Sequence, residues 1–561
     1  MRYVVCIKQV PVLARLSFDH DTKTIHRDGV PSEVSSFDVR ALLKAVDLRD
    51  SIGGEVIVLT MGPPQASEAI EFCLALGADR GVHLCDPGFA GSDTLATARA
   101  LAAAVRHEEA DIVLLGRYSI DAETSQVGPE VAEILGWPQI TAAHSLAVDA
   151  ETRRVDAERE TDAGYETVRA TLPVVVTAAE DLAEERFPRK ADREAAKSKP
   201  VRSVSIADLG VEPGRLGSAG SPTWVADLRK LESNRMARIL EGDEPARELA
   251  DLLVHQHGLF SSEWNLPTSA PAPTSGAPVV REAPSDLWFI VERHNDRIRD
   301  VSLEICAKLR SLADRAGGTV TAVALAQLSS SESQQLGAAG ADRVVGAGET
   351  PPGILATTAF LTGAIQRYSP GAVVFPATTF GRDVAPRLAA RLGLGLTSDC
   401  IDLDWDESGR LAQLKSAFGG EIVAPILSHT VPELATVRPG VLPLPGGGQA
   451  RQLPWERLPD MNDKSRERDV EVIGTRTVVD VGADLDGAAV VLGIGRGVGA
   501  NGLERTESLR RLLGAALCTT RDVTEAGWLP KQYQVGLTGR AIAPKLYIGL
   551  AIRGAFEHMV G

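Results

Sequence analysis

"DIVLLGRYSIDAETSQVGPEVAEILG", residues 111–136, and "AVVFPATTFGRDVAPRLAARLG", residues 372–393, read as one unit written twice. Each has a Val-rich run too short for a helix, a polar loop, and a helical segment closed by glycine. An earlier block repeats in the same order: "ALGADRGVHLCD" (75–86) is echoed by "AAGADRVVGAGE" (338–349). A spacing of half the chain points to a duplicated domain, because solenoid repeats recur every ~20–50 residues.

Each copy alternates short apolar runs with helix-length segments. "RYVVCIKQV", "EVIVLTMG", "RGVHLCD" and "DIVLLGR" precede "DLWFIVE", "TVTAVALA", "DRVVGAG" and "AVVFPAT"; "SDTLATARALAAAVRHE" is one of the intervening helices. This is the βαβ pattern, so the fold class is α/β, with a mostly parallel doubly wound sheet in each half. Ligands in such sheets sit beyond the C-terminal strand ends.

The duplicated halves are joined by "NLPTSAPAPTSGAPVVREAP", residues 265–284, whose composition cannot bury enough surface to order itself and is expected to be an extended tether. A third strand–helix unit begins near Val470, after a Gly/Pro-rich break. It ends in "APKLYIGLAIRGAFEHMVG" (543–561), whose apolar strand is expected to lie inside a sheet with neighbours on both sides.

A chain of 561 residues accommodates about three or four domains. Its net charge of −16 argues against a nucleic-acid partner, which needs a clustered positive field. No apolar run is long enough to cross a bilayer, and the N-terminus is too short and strand-like for a signal peptide, so no membrane insertion and a cytoplasmic location are expected. Six dispersed cysteines without C-x-x-C predict no metal site.

Three loops carry binding chemistry. "AAVVLGIGRGVGANGLERTESLRRLLGAAL" (488–517) holds Gly497, Gly499 and Gly502 as G-x-G-x-x-G between strand and helix, with Asp522 about 20 residues on. It is either a phosphate cradle, to which Arg496 adds charge, or a tight turn. "QVGLTGRAIAP" (534–544) offers Gln534, Thr538 and Arg540 to the edge of a flat heteroaromatic ring, or is a surface turn. In 116–136, Asp121, Thr124, Ser125 and Gln126 gather at a helix start, as a phosphate site or an elaborate cap. The equivalent Arg382 and Asp383 are expected to form an internal ion pair. No hydrolytic or covalent motif is present, so no catalytic residue is assigned.

The first half resembles the beta subunit of electron transfer flavoprotein through "YVVCIKQVP", "SSFDVRALLKAVDL", "LTMGPPQASEAIEFCLALGADR" and "SIDAETSQVGPEVAEILGWPQ". The second resembles the alpha subunit through "PATTFGRDVAPRLAARLGLGLTSDC", "SAFGGEIVAPI", "ATVRPGV" and "TTRDVTEAGWLPKQYQVGLTGRAIAPKLYIGLAIRGAFEHMVG". The resemblance implies a beta–alpha fusion of two homologous nucleotide-binding-like domains (adenine nucleotide alpha hydrolase-like), at 1–264 and 285–445. An FAD-binding α/β domain follows at 446–561.

It further implies a carrier passing electrons from flavin dehydrogenases to a quinone oxidoreductase or similar acceptor. A non-redox nucleotide-binding homologue and a bifurcating member with a second FAD are the alternatives. By position, the FAD contacts implied are Arg496, Thr520, Arg521, Gln534, Val535, Gly536, Thr538, Gly539, Arg553, Gly554, Ala555 and His558. Arg521 then replaces Asp522 as the ligand contact of its segment. In the first half, Cys6, Ser35, Ser36, Phe37, Asp38, Met61, Asp121, Thr124, Gln126, Val127 and Gly128 match positions that hold AMP, or a second FAD in bifurcating members.

The chain departs from the family at three points. Arg553 replaces a serine and Leu537 a glutamine around the flavin. Lys190 stands where the partner-recognition loop carries leucine, so a polar, salt-sensitive contact is expected in its place. The family's strands beyond H-x-x-G are missing, which implies a truncated FAD domain, either completed by a separate chain or left as a half-built pocket with an exposed sheet edge.

Overall fold

The apolar runs of the first half become parallel strands because both their faces are covered. In the computed structural model these are β1 (Arg2–Cys6), β2 (Glu55–Met61), β3 (Arg80–Leu84) and β4 (Ile112–Gly116). Val4 and Cys6 of β1 enter one hydrophobic core while Tyr3 and Val5 enter another on the opposite face. Helices α1 (Ser36–Ile52), α2 (Ser67–Ala75), α3 (Thr94–His107) and α4 (Val127–Leu135) cover the two faces. The structure describes residues 1–12, 17–19, 24–26, 30–230, 239–241, 244–256, 258, 286–294, 297–351, 353–417, 422–446, 448–458, 470–478, 482–485, 488–536, 539–540, 542 and 544–559. The predicted tether at 265–284, Leu537 and Thr538 lie outside them.

The first half continues with β5 (Gln139–Asp149), β6 (Arg154–Thr161), β7 (Gly164–Thr171), β8 (Val174–Ala178), β9 (Val201–Val204) and β10 (Thr223–Val225). The second half supplies β11 (Asp286–Val291), β12 (Thr319–Ala324), β13 (Arg343–Gly346), β14 (Ala372–Pro376) and β15 (Leu396–Trp405). It then adds β16 (Leu411–Ala417), β17 (Ile422–Ser428), β18 (Glu433–Val437), β19 (Trp455–Arg457) and β20 (Glu471–Thr477). Its helices are α5 (Asp300–Ala316), α6 (Ser330–Ala339), α7 (Gly353–Tyr368) and α8 (Thr379–Leu392).

The two sheets have one topology. The first runs β9-β3-β2-β1-β4-β8-β5-β6-β7-β20 and the second β19-β13-β12-β11-β14-β18-β15-β16-β17-β10. The expectation of mostly parallel sheets therefore holds only for the inner strands. β6 pairs antiparallel with β5 and β7, and β16 with β15 and β17, so both sheets are mixed. In β6 and β7 buried Val155, Ala157, Val168 and Ala170 alternate with polar residues, as a sheet with one solvated face requires, whereas β16 and β17 are buried along most of their length.

The terminal strands are exchanged. β20, from the end of the second half, pairs antiparallel with β7 of the first sheet. β10, from the first half, pairs antiparallel with β17 of the second. Thus β19 and β20 belong to the large sheets, although 446–561 was expected to form one FAD domain. The chain divides into Met1–Arg229 with Pro278–Val479, and Lys230–Ala277 with Asp480–Gly561.

Within the larger unit the two halves meet through the equivalent helices α4 and α8. The Arg387 guanidinium, buried on α8, donates to Glu133 Oε2 (2.9 Å), Gln139 Oε1 (2.9 Å) and the Trp137 carbonyl (3.2 Å). Asp383 accepts from Arg159 (2.6 Å) and from the Thr141 hydroxyl (2.6 Å). The predicted Arg382–Asp383 pair is not formed, since Arg382 turns instead to Asp399 (3.1 Å). Adjacent residues on a helix point about 100° apart, and each finds a different partner.

The smaller unit contains β21 (Val490–Ile494), β22 (Ala516–Thr519) and β23 (Leu546–Leu550), all parallel in the order β22-β21-β23. Helices α9 (Leu503–Leu513) and α10 (Arg521–Glu525) follow β21 and β22. Among the described residues β23 pairs on one side only and is half-exposed, rather than flanked on both sides as its apolar run predicts.

Candidate functional site

A cavity of about 1220 Å³ opens at the C-terminal ends of β1, β2 and β4. Cys6, Met61 and Gly116, the last residues of those strands, lie on its wall. Of the first-half residues singled out in the sequence, Cys6, Asp38, Met61, Asp121, Thr124, Gln126, Val127 and Gly128 are brought together around it. Ser35, Ser36 and Phe37 are not on its wall. Ser35 precedes α1 and is buried, its hydroxyl unpartnered, while Phe37 packs edge-on against Tyr118 at 4.7 Å.

Asp38 is fixed by the backbone: Oδ1 accepts from Gly116 N (2.8 Å) and Oδ2 from Lys8 N (2.8 Å). Burial pushes its carboxyl up to about 7, against the pull of these two N–H groups and the Lys8 charge. Lys8 Nζ reaches both oxygens of Asp121 (2.9 and 2.8 Å), tying β1 to the 119–126 loop. Burial also raises the Cys6 thiol, which makes it a small apolar wall residue and not a nucleophile.

The loop before α4 holds Glu123 and Ser125 at φ of 46° and 55°, left-handed conformations that cost about 1–3 kcal/mol each in a non-glycine residue. The second half holds it in that shape. Ser398 Oγ donates to the Thr124 carbonyl (2.6 Å), Lys415 Nζ to those of Glu123 (3.4 Å) and Ser398 (2.9 Å), and Gln126 Nε2 to the Leu396 carbonyl (3.1 Å). Burial opposes the charge of Asp399, but Arg382, Arg438 and Lys415 together keep its carboxyl well below the ordinary range.

Sequence reasoning missed the far wall: Asp93 and Thr94 from the start of α3, Trp224 from the exchanged β10, and Lys415 and His429 from the second half. No motif marks them, because they come from several elements far apart in sequence. The one available signal was Asp93, which caps α3 by accepting from Ala96 N (3.0 Å). Its other oxygen accepts from Thr223 N (3.0 Å) and the Thr223 hydroxyl (2.8 Å), locking β10 against the cavity.

His144, Glu160 and Asp181 are grouped closely enough to hold a cation, but Arg117 already donates to Glu160 (3.0 Å).

In the smaller unit the predicted residues gather at the C-terminal end of the three-stranded sheet. Arg496 stands in the turn after β21, Thr520 and Arg521 follow β22, and Arg553, Gly554 and Ala555 follow β23. The turns approach closely. A Cβ on Gly495 would lie 2.1 Å from the Ala551 carbonyl oxygen, and one on Gly497 3.0 Å from the Ala551 Cβ. Gly499 has φ +73° and Gly554 +71°, both left-handed.

Gln534, Val535 and Gly536 are buried alongside β22, with Val535 N donating to the Thr519 carbonyl (3.0 Å), whereas Gly539 is exposed. Arg496 and Arg553 are exposed, and Arg521 pairs with Glu525 (2.6 Å). Asp522 is exposed on α10. His558 is buried: Nδ1 donates to the Val535 carbonyl (2.9 Å), and Nε2 accepts from the Tyr547 hydroxyl (2.7 Å). Burial lowers its pKa, in keeping with this neutral tautomer.

The larger unit is thus a duplicated α/β scaffold with a strand-end cavity in its first copy, and the smaller a parallel α/β unit with glycine turns at its strand ends. The chain belongs to the electron transfer flavoprotein family. The family model "Electron transfer flavoprotein domain" matches residues 22–209 and 287–461, and "Electron transfer flavoprotein FAD-binding domain" matches 484–561. The FAD-binding domain implies FAD as cofactor.

The Clostridium acetobutylicum electron transfer flavoprotein subunit beta is 39% identical over 254 residues, covering 45% of this chain and 96% of that protein. Protein FixA of Bradyrhizobium diazoefficiens is 39% identical over 262 residues, covering 45% and 91%. The caffeyl-CoA reductase-Etf complex subunit CarD of Acetobacterium woodii is 38% identical over 227 residues, covering 40% and 86%. Among the described residues, no helix is long and apolar enough to cross a membrane.

Proposed function

We propose that this chain is a fused beta–alpha electron carrier with FAD in the smaller unit and a second nucleotide in the first-copy cavity. The carrying observation is that Arg496, Thr520, Arg521, Arg553, Gly554 and Ala555 occupy turns at one end of one parallel sheet, where α/β folds bind ligands. Arg496 is exposed in the turn after β21, where its charge would meet the FAD phosphates. Gln534, Val535, Gly536, Thr538, Gly539 and His558 are assigned to the flavin ring.

FAD, when bound, takes up and releases electrons singly between a flavin dehydrogenase and a quinone oxidoreductase or similar acceptor. The Arg521 charge beside the ring favours the form carrying added negative charge. For the donor we assign the loop ahead of the helix Lys190–Ala196. Phe187 there is 74% exposed, with Arg186, Arg189 and Lys190 around it, which suits an acidic-rimmed apolar pocket.

For the first-copy cavity AMP is one occupant. A second FAD, making this a bifurcating-type member, is favoured by the volume of about 1220 Å³, above the ~300–1,000 Å³ usual for small-ligand pockets. The test is visible absorbance and cofactor stoichiometry of the full chain after incubation with FAD, with AMP assayed in the denatured extract. One or two flavins per chain are expected, and a chain that stays colourless overturns the proposal.

A further inference from the structure

Gln126 and Thr94, both on the cavity wall, form a short file with Glu130 behind them. Gln126 and Glu130 are each 1% exposed, and Glu130 does not itself reach the cavity. Thr94 Oγ1 lies 2.5 Å from Gln126 Oε1 and 3.0 Å from Glu130 Oε1. The orientation of the Gln126 amide is set by its other end, because Nε2 donates to the Leu396 carbonyl, which only accepts.

The hydroxyl of Thr94 has one hydrogen for two oxygens. Were Glu130 ionised, that hydrogen could satisfy either Glu130 or Gln126. The other pair would then be an oxygen–oxygen contact with no proton between them. Glu130 Oε2 has no hydrogen-bond partner among the described residues, a costly position for half of a buried carboxylate. The charged groups facing it are Asp93 and Arg99 of α3. Asp93 repels a charge on Glu130; Arg99 and the Thr94 hydroxyl favour one, but burial outweighs them, and the Arg99 guanidinium donates to the backbone carbonyls of Arg215 (3.3 Å) and Gly220 (2.8 Å).

We infer that Glu130 is held as a neutral carboxylic acid and is a positioning residue: its O–H donates to Thr94 Oγ1, and the Thr94 O–H donates to Gln126 Oε1. Every hydrogen in the file then has one acceptor. The side chain left facing the cavity is an amide locked at both ends, by Thr94 on one side and by β15 of the second copy on the other. Burial, with the Asp93 charge adding to it, keeps the Glu130 carboxyl well above the ordinary range. The protonation rests on this geometry alone; its effect on a ligand rests on the nucleotide reading of the cavity.

The first arm of the test is the infrared difference spectrum of the ligand-free full chain against Glu130→Gln at pH 7. A protonated-carboxyl C=O band present only in the wild type is expected, and its absence overturns the inference. The second arm is AMP titration of Glu130→Gln, Glu130→Ala and Thr94→Val. Glutamine can donate to Thr94 as the acid does, so Glu130→Gln should bind within about twofold of wild type. Glu130→Ala and Thr94→Val, each breaking one neutral hydrogen bond, should weaken binding roughly three- to tenfold. Equal weakening by glutamine and alanine would show that the charge is required, and unchanged binding in Thr94→Val would remove the positioning role. If the wild type binds no AMP, the nucleotide reading fails while the infrared arm still decides the protonation.

Discussion

Helices α4 and α8 occupy the same place in the two copies, and both end in a left-handed glycine, Gly136 at φ 70° and Gly393 at φ 69°. Aligned on those glycines, "QVGPEVAEILG" faces "DVAPRLAARLG", which sets Gln126 against Asp383 and Glu130 against Arg387. The second copy keeps charge at both positions and gives each a partner across the junction: Asp383 with Arg159, and Arg387 with Glu133. The first copy holds an amide and an unpaired acid, beside a cavity. The preceding connection differs too. Residues 117–126 form a long loop with two left-handed residues, whereas Ala377 and Thr378 lead straight into α8. There Thr378 Oγ1 donates to the buried Glu292 (2.6 Å) and accepts from Gly381 N (3.1 Å), so the short strand-to-helix turn is held by side chains of its own copy. In the second copy these helix positions join the halves; in the first they stand beside a cavity.

The most damaging challenge to this comparison is Arg387→Ala. It removes a fully buried guanidinium, takes the Arg387 donor from buried Gln139 and the Trp137 carbonyl, and leaves Glu133 with Arg391, so it is expected to cost about 3–5 kcal/mol, read from the urea midpoint. Next is Gly381→Ala, whose Cβ would meet the Pro376 carbonyl oxygen at 1.9 Å. A backbone clash cannot be relieved by a rotamer change, so about 2–3 kcal/mol is expected, with no loss of nucleotide binding at the first-copy cavity.

Glu130→Gln should show the contrast through pH. The raised folded pKa means that above the ordinary glutamate value of about 4.3 the native state retains a proton the unfolded chain has lost, so wild-type stability falls as pH rises. The glutamine variant lacks this loss. Its stability relative to wild type, read from urea midpoints, should therefore grow as pH rises above that value, by at most about 1.4 kcal/mol per pH unit. Asp38, pushed up to about 7, acts in the same sense in both proteins and cancels. Smallest is Phe187→Ala, remote from both helices. Stability should change by less than about 0.5 kcal/mol while reduction by the donor dehydrogenase slows, most clearly at high salt.

The parallel core was legible because strands such as Val4–Cys6 and Trp288–Ile290 are buried on both faces and so are apolar without interruption. The antiparallel extensions were not, since Arg154–Thr161 carries charged and polar residues along a half-covered face, and Leu411–Ala417 interrupts its apolar run with Gln413 and Lys415, which only tertiary structure buries. The 119–128 segment announced itself by gathering polar residues before a helix. Thr94, Trp224, Lys415 and His429 could not, because only tertiary pairing brings them there. The Arg382–Asp383 misreading has the same origin: sequence neighbours on a helix are not spatial neighbours.

The exchange of β10 and β20 has a consequence for the order of synthesis. The first sheet is not finished when the first half leaves the ribosome; its outer strand, β7, waits for residues 471–477. β10 is made early and must wait for β17 before it has a partner. Neither copy is therefore a complete product of translation on its own, and a cut in the chain between the two copies after folding would leave two fragments still sewn together through both sheets.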